Sequence, residues 1–374
     1  MNGNSIWLAI AISTYSMNIS AVDLTAAIAP GYDDNPFKLS DSLDPDGGWF
    51  LDTKVKLEHK ADKLRLRAQL KSRAYEGDLD DADTFAAKID GRYKTKYKLA
   101  EKDATSHLKL EYKHHDKTYV SRTTGVIGTD SGSDIPDRYD YNAWKLEAKT
   151  AVNVTEALTV GLQLDYREKD YEDYGFLGLS NRDYDQIGLT NDWVYKIDKK
   201  SKINLGLNIK NRDFDDKREK DLSGDDIAGT DLEYDYWSIT MGYALDITKN
   251  LEARLKYAYE EKRDSGEGYY DTDYSRLSAN LHYKVDDSLR VTGGITYQDR
   301  DYLNDSVVDE NDEASPSTEG YTLNIGLDKK LASISDFPTS LFAGVKYDTY
   351  DSNDSVYEYD RSQVYVGIKV GFGQ

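Results

Sequence analysis

The amino-acid sequence predicts an all-β chain, and specifically a single transmembrane up-and-down antiparallel β-barrel. Apolar residues recur at every second position over about sixteen long segments, which is the side-chain period of a β-strand. The connections between these segments alternate between short and long, as in outer-membrane barrels. The composition agrees, because 31 Tyr and 27 Gly with only 6 Pro among 374 residues are typical of sheet rather than of a disordered chain.

The bulk composition excludes several classes of protein. The net charge is −21, from 48 Lys+Arg and 69 Asp+Glu, which argues against nucleic acid as a partner because phosphates attract basic surfaces. The chain has no Cys, which excludes a disulfide framework, a thiolate zinc site and a Cys nucleophile. The mean hydropathy is −0.73, which argues against membrane-spanning helices. After residue 21 no window approaches the roughly 18–20 apolar residues that a membrane-spanning helix needs.

The first 21 residues are predicted to be a secretory signal peptide, and residues 22–374 the barrel. The run Ile6–Ile12 is short and apolar, and small polar residues follow it up to Ala21. This length and ending are typical of a signal peptide, although no Lys or Arg precedes the run. The alternative is that the run is the first strand of the sheet.

The alternation of apolar and polar residues defines the strands in order along the chain. In residues 158–166, for example, Leu, Val, Leu, Leu and Tyr occupy one face, and Thr, Gly, Gln and Asp occupy the other. The predicted strands lie near residues 22–29, 49–58, 64–75, 83–99, 106–122, 138–154, 158–172, 182–197, 202–215, 232–247, 251–263, 269–285, 288–302, 319–332, 339–350 and 357–372.

The connections fall into two classes. Short links are predicted at His59–Lys63, Thr155–Ala157, Asp198–Ser201, Thr248–Asn250 and Asp286–Asp287. Long links rich in Asp, Ser, Gly and Asn are predicted at Pro30–Gly48, Thr123–Asp137, Lys217–Asp231 and Leu303–Thr318. This alternation, with an even strand number, predicts an outer-membrane barrel with short periplasmic turns, long acidic extracellular loops and both termini in the periplasm. A soluble β-sandwich is the alternative, but it does not require such long strands.

Tyr and Trp are predicted to form belts at the two membrane interfaces, where amphipathic rings are favoured. The outward aromatic residues near the long loops are Trp49, Tyr112, Trp144, Tyr166, Trp237, Tyr259, Tyr297 and Tyr347. Those near the short turns are Tyr97, Trp193, Tyr195, Tyr243 and Tyr283.

The face opposite the apolar one is predicted to line a basic lumen. By strand parity it carries about 30 Lys/Arg and about 12 Asp/Glu, although the whole chain is acidic. A wall of cations in a low-dielectric tube concentrates anions, which predicts an anion-selective pore. The candidate substrate-binding residues of this wall are Lys54, Lys56, Arg65, Arg67, Lys71, Arg73, Lys88, Arg92, Lys94, Lys96, Lys109 and Lys113.

The residues therefore predict a channel through which anions diffuse passively. A structural or adhesive barrel without transport stays open as an alternative. The expected partners are the anionic cargo, outer-membrane lipid and lipopolysaccharide; periplasmic export partners, a homotrimer and a monomer all stay open.

The segment Gly31-Tyr32-Asp33-Asp34-Asn35-Pro36-Phe37 resembles the outer-membrane β-barrel porins of exopolysaccharide loci. That resemblance implies a single barrel and passage of a polysaccharide across the outer membrane. The basic lumen is also similar in style to porins for acidic oligosaccharides such as oligogalacturonate. Together these resemblances imply that the cargo is an anionic saccharide, an acidic oligo- or polysaccharide that diffuses passively through the lumen. The barrel of a polysaccharide secretion system stays open as a further alternative.

Neither catalysis nor a cofactor is predicted. By parity His107, His115 and His282 face the lumen, but no Gly-x-Ser-x-Gly motif accompanies them, and no metal-ligand set occurs. Divalent cations could bind the acidic loops, for example at Asp78–Asp83 and Asp309–Glu313. The weakly charged loop Thr123–Pro136 is the candidate for narrowing the pore.

Overall fold

A computed structural model of the chain describes residues 22–121, 124–130, 132–174, 182–304, 317–333 and 337–372. The proposed signal peptide, residues 1–21, lies outside the described residues and stays a prediction. Within the described ranges, no helix is long and apolar enough to cross a membrane.

Sixteen antiparallel strands form one closed barrel, which confirms the predicted fold. Consecutive strands pair in order, and the first strand pairs with the last, with Leu24 opposite Phe372. The strands are β1 (Val22–Asp33), β2 (Gly48–Ala61), β3 (Leu64–Tyr75), β4 (Thr84–Leu99), β5 (Lys102–Lys117), β6 (Tyr141–Asn153), β7 (Leu158–Tyr171), β8 (Tyr184–Lys196), β9 (Ser201–Phe214), β10 (Glu233–Thr248), β11 (Leu251–Asp264), β12 (Thr272–Lys284), β13 (Leu289–Tyr302), β14 (Thr318–Lys330), β15 (Thr339–Ser352) and β16 (Tyr359–Phe372).

Turns and loops alternate around the barrel as predicted. The links at one end cover residues 62–63, 100–101, 154–157, 197–200, 249–250, 285–288 and 331–338. The links at the other end cover residues 34–47, 76–83, 118–140, 172–183, 215–232, 265–271, 303–317 and 353–358. Strand β1 begins and strand β16 ends at the short-turn end, since Val22 lies opposite His59 and Leu24 opposite Phe372.

The prediction that β1 ends at residue 29 is wrong, because the strand continues through Pro30 to Asp33. Proline has no N–H to donate, so it is tolerated only where a ladder can do without that bond. The ladder with β2 is continuous here, whereas the ladder with β16 is interrupted between Ile28 and Gly31. The first loop therefore covers residues 34–47 rather than 30–48.

The predicted limits of β5, residues 106–122, are also wrong, since this strand runs from Lys102 to Lys117. It is joined to β4 by a two-residue turn in which Ala100 and Glu101 have φ angles of 46° and 63°. Two-residue hairpin turns of this kind usually contain Gly or Asn, because those residues tolerate positive φ. Ala and Glu do not signal such a turn, so the sequence pattern placed the start of β5 too late.

The outward face of the barrel is an apolar band, as a hydrocarbon environment requires. Its aromatic residues meet in pairs near the long loops, with ring centroids 5.5 Å apart for Tyr32 and Trp49 and 4.7 Å apart for Tyr112 and Trp144. The band includes the exposed side chains of Leu51, Leu57, Leu66, Ile89, Leu108, Leu146, Leu162, Leu164, Ile187, Ile209, Met241, Leu255, Leu281, Ile295, Leu323, Ile325, Val345, Val364 and Val366.

On the inward face near the closure, aromatic rings lie flat over glycines of the neighbouring strand. A Cβ built on Gly320 would lie 2.5 Å from Cε1 of Tyr350, and one on Gly367 would lie 2.6 Å from Cζ of Phe342. Each ring belongs to the residue directly opposite its glycine. This cross-strand arrangement pins the register and keeps bulky rings against the wall.

Candidate functional site: the basic wall of the lumen

All twelve candidate wall residues lie on the inward face of β2 to β5. Residues that are paired across antiparallel strands point to the same side, so the register carries this face from strand to strand. Lys54 lies opposite Lys71, Arg65 opposite Arg92, and Lys88 opposite Lys113. The remaining six occupy the same parity: Lys56, Arg67, Arg73, Lys94, Lys96 and Lys109.

Six of the twelve cations are paired with carboxylates of the wall. Arg67 Nε lies 2.6 Å from Asp90 Oδ2. Arg73 holds both oxygens of Asp52, at 2.7 and 2.8 Å. The other four pairs are Lys56 and Arg65 with Glu58, and Lys88 and Lys109 with Glu111. These pairs make the wall rigid and neutralise part of its charge.

The other six cations form no salt bridge with any carboxylate in the described part of the chain. Lys113 donates a hydrogen bond to the hydroxyl of Tyr141. The remaining five are Lys54, Lys71, Arg92, Lys94 and Lys96, and no described carboxylate oxygen lies within 4.0 Å of their side-chain nitrogens. Five uncompensated charges therefore lie on three adjacent strands, with Lys54 and Lys71 as a cross-strand pair and Arg92, Lys94 and Lys96 further along β4 towards its short-turn end.

The wall borders a hollow of about 580 Å³, called here the wall hollow. One carboxylate, that of Glu111, lines it. Seven cations line it: Arg67, Lys71, Lys88, Lys113, Lys145, Arg167 and Lys169. Lys145, Arg167 and Lys169 belong to β6 and β7, so the basic wall extends two strands beyond the twelve predicted residues.

The opposite side of the barrel is different in chemistry. Over all sixteen strands the inward positions hold about two cations for each carboxylate. In the middle of β8 to β10 and β12 to β14, however, small neutral residues are common: Gly188, Thr190, Gly206, Asn208, Thr240, Gly242, Ser278, Asn280, Thr292, Gly294, Asn324 and Gly326. Strand β11 between them carries the inward charges of Lys256 and Glu260. The inward cations are therefore densest on the side of β2 to β7, and the side of β8 to β14 carries fewer of them.

A second hollow of about 580 Å³, the mouth hollow, lies at the long-loop end and shares Tyr141 with the wall hollow. Its lining includes Phe37 and Lys38 from the loop 34–47 and Tyr139 from the loop 118–140. Strand parity could not reveal these residues, because loops have no fixed side-chain period. Only the way the two loops fold inward brings them to the lumen.

The loop 34–47 is the continuation of the segment Gly31–Phe37, and a buried carboxylate anchors it. Asp33 is fully buried and accepts hydrogen bonds from Arg361 Nε at 2.9 Å, Tyr75 Oη at 2.7 Å and Gln363 Nε2 at 2.6 Å. One residue therefore ties together β1, β3 and β16. The loop leaves the barrel wall from a fixed point.

The loop suggested to narrow the pore, Thr123–Pro136, is described except for residues 123 and 131. Ile135 is fully buried against Tyr119 and Tyr174. A Cβ built on Gly125 would lie 3.6 Å from Cδ1 of Leu39, so this loop rests against the loop 34–47. The two loops pack on each other over the basic side of the mouth.

Two of the histidines predicted to face the lumen contact neighbouring side chains of the wall. His107 Nε2 lies 3.0 Å from Glu147 Oε1, and the ring of His115 packs on Tyr141. Among the described residues, no group of three or more His, Asp and Glu is placed to hold a metal ion. The acidic run Asp309–Glu313 lies outside the described residues.

Comparisons with known proteins agree on the architecture. No protein-family model and no curated protein matches the chain. A solved structure described as a bacterial polysaccharide outer membrane secretin is 9% identical, with a TM-score of 0.47 over 95% of this chain and 99% of that chain. OprD from Pseudomonas aeruginosa is 13% identical, with a TM-score of 0.47 over 95% and 96%. OmpT of Vibrio cholerae is 11% identical, with a TM-score of 0.41 over 94% and 97%.

These similarities assign no activity and no cargo to the chain, because each of these TM-scores lies below 0.5. The β-barrel fold is established by the chain's own closed sixteen-stranded sheet.

Proposed function

We propose that the chain is an outer-membrane channel selective for anions and that its cargo is an acidic oligo- or polysaccharide. The observation that carries the proposal is the group of five wall cations without carboxylate partners, on β2 to β4. In this proposal the short turns face the periplasm and the long acidic loops face the exterior.

The selectivity follows from where the charges lie. Paired cations such as Arg67 contribute little net field, because Asp90 lies 2.6 Å away. Unpaired cations in a lumen with low-dielectric walls raise the local concentration of anions and repel cations. The small neutral residues in the middle of β8 to β10 and β12 to β14 also leave room for a bulky uncharged part of the cargo.

The cargo class follows from the repetition of charge. Successive inward residues on one strand are about 6.6–6.8 Å apart, and neighbouring strands about 4.7–4.9 Å apart. The wall therefore offers cations at short, regular intervals, which suits a flexible polymer with a carboxylate on each sugar ring. A small inorganic anion uses only one or two of them at a time. Arginine adds the option of holding a carboxylate through two parallel hydrogen bonds.

The experiment replaces all five unpaired cations with Gln and measures the reversal potential of the purified barrel in a planar bilayer under a KCl gradient. We expect the wild type to prefer anions and the variant to lose most of that preference. A matched control changes the net charge by the same amount through five exposed lysines of the outward face and the short turns. These are Lys63, Lys102, Lys199, Lys200 and Lys249. Equal loss in both variants would contradict the role of the wall.

The cargo is tested by blockade of the current. Short oligogalacturonates should block the wild-type channel at lower concentration than neutral malto-oligosaccharides with the same number of rings. The five-residue variant should lose this difference. Equal blockade by charged and neutral oligomers would contradict an acidic saccharide as cargo.

A further inference from the structure

The long-loop end of the barrel is closed unevenly. On the side of β8 to β13, the loops 215–232 and 265–271 contribute to a packed aromatic cluster in which every residue is at most 9% exposed: Tyr184, Phe214, Leu232, Tyr234, Tyr269, Tyr270 and Tyr302. Lys217 is 4% exposed and its Nζ lies 4.7 Å from the centre of the Tyr270 ring. Dense packing of this kind excludes a ligand from this side.

On the side of β1 to β7, a smaller cluster of Tyr119, Ile135 and Tyr174 leaves the mouth hollow beside it, and a polar clamp holds the loop 34–47 at the hollow. The Asn35 amide donates to Leu39 O at 2.8 Å and to Asp360 O at 3.0 Å, and its oxygen accepts from Leu39 N at 2.9 Å. Between the clamp residues, Lys38 has a φ of 59°, which turns the chain sharply. Phe37 and Lys38 are thereby fixed against the hollow before any ligand arrives.

The hollow combines aromatic rings with cations and one acid. Its partly exposed rings are Phe37, Tyr139, Tyr141 and Tyr171. Its Lys and Arg residues are Lys38, Arg73, Lys117, Arg182 and Arg361, and its one carboxylate is that of Asp81. Arg73 and Arg361 are engaged by Asp52 and Asp33. Lys38, in contrast, has no salt bridge with a described carboxylate.

Such a combination suits one ligand chemistry. An aromatic ring offers an apolar face to the C–H face of a pyranose, and a cation beside it holds a carboxylate. A simple inorganic anion would use the cations but gain nothing from the rings. A neutral sugar would use the rings but leave Lys38 without a counter-charge.

We propose that the mouth hollow is an entry subsite for a single uronate residue of a saccharide, with the sugar ring against Phe37 and Tyr139 and the carboxylate at Lys38. This inference rests on the proposed function and names the place where the cargo is first recognised. Because Tyr141 borders both hollows, the next residue of the saccharide reaches the wall hollow directly.

The test is equilibrium binding of tetragalacturonate to the refolded full-length barrel in detergent, measured by titration calorimetry, with maltotetraose as the neutral probe. Loss of one stacking ring or one ligand charge is worth about 1–2 kcal/mol, which corresponds to about a five- to thirtyfold weaker affinity. We expect Phe37→Ala and Lys38→Gln each to weaken tetragalacturonate binding by about this factor. Phe37→Trp should preserve it.

The matched control is Phe337→Ala, which removes a 40% exposed Phe at the short-turn end. It should leave binding within about twofold of the wild type. Wild-type affinity in both Phe37→Ala and Lys38→Gln would overturn the subsite, as would equal binding of the two probes. The reversal potential separates the two proposals: a cation-selective wild type overturns the proposed anion-selective function, whereas an anion-selective channel with unaltered variant affinities overturns only the subsite.

Discussion

Replacement of Asp33 by Asn is expected to destabilise the barrel far more than its single change of charge suggests. The carboxylate is fully buried and receives donors from Arg361, Tyr75 and Gln363, with Arg73 Nη1 at 3.5 Å. Asparagine keeps the shape but offers one acceptor oxygen, and its amide group turns two further donors towards a cluster that already consists of donors.

The magnitude follows from the loss of the buried counter-charge. The side chain of Arg361 is 10% exposed, so its charge has little access to water. Removing one partner of a buried ion pair costs about 3–5 kcal/mol, because the other charge stays buried without compensation. We therefore expect the free energy of unfolding of Asp33→Asn to fall by about this amount.

The assay is urea unfolding of the barrel in lipid vesicles, monitored by Trp fluorescence. The matched control is Asp34→Asn, whose carboxylate accepts one bond from Ser362 N at 2.6 Å. Asparagine can still accept that bond, so the expected loss is below about 1 kcal/mol. Equal stability losses in the two variants would refute the role of Asp33 as an anchor, as would a loss below about 1 kcal/mol in Asp33→Asn.

Four further predictions concern the mouth and the closure. Burial lowers the pKa of Lys38 from 10.5 to about 8, so its charge is lost as the pH rises. The anion preference of the channel should therefore decline between pH 7 and 9 in the wild type but not in Lys38→Gln. Between about pH 8 and 10.5 the unfolded chain still binds this proton and the folded barrel does not, so the free energy of unfolding should rise with pH over that interval, which urea titrations at several pH values measure. Gly320→Ala should lower the free energy of unfolding by about 1–3 kcal/mol, because the new methyl group displaces the Tyr350 ring. Tyr350→Ala in that background should recover part of the loss. An unchanged urea midpoint in Gly320→Ala alone would contradict the ring placement. Ile135→Ala should speed proteolysis of its loop in the folded barrel, since it empties a fully buried site; unaltered cleavage would contradict the packing.

Strand parity predicted the wall correctly because one physical rule determines it. In a closed barrel each inward residue has outward residues on either side of it along the strand. The apolar residues next to Lys54 or Arg92 in the sequence therefore reveal that those cations point inward. A signal repeated over sixteen strands also tolerates local errors. The late start predicted for β5 did not change the parity of Lys109.

The features that the sequence pattern missed depend on contacts between distant segments. Which wall cations stay unpaired depends on register: Glu111 satisfies both Lys88 and Lys109, whereas no described carboxylate reaches Lys94. The inward fold of Lys38 depends on the Asn35 clamp, which bonds to Asp360 O. A bond across 325 residues leaves no local signal in the sequence.

The measurement that tests the central claim most directly is the sign of the wild-type reversal potential in a planar bilayer under a KCl gradient. A channel governed by the unpaired cations on β2 to β4 prefers chloride, so the reversal potential should take the sign of an anion-selective pore. A potential of the opposite sign would mean that the acidic loops determine the field instead, and it would contradict the proposed function.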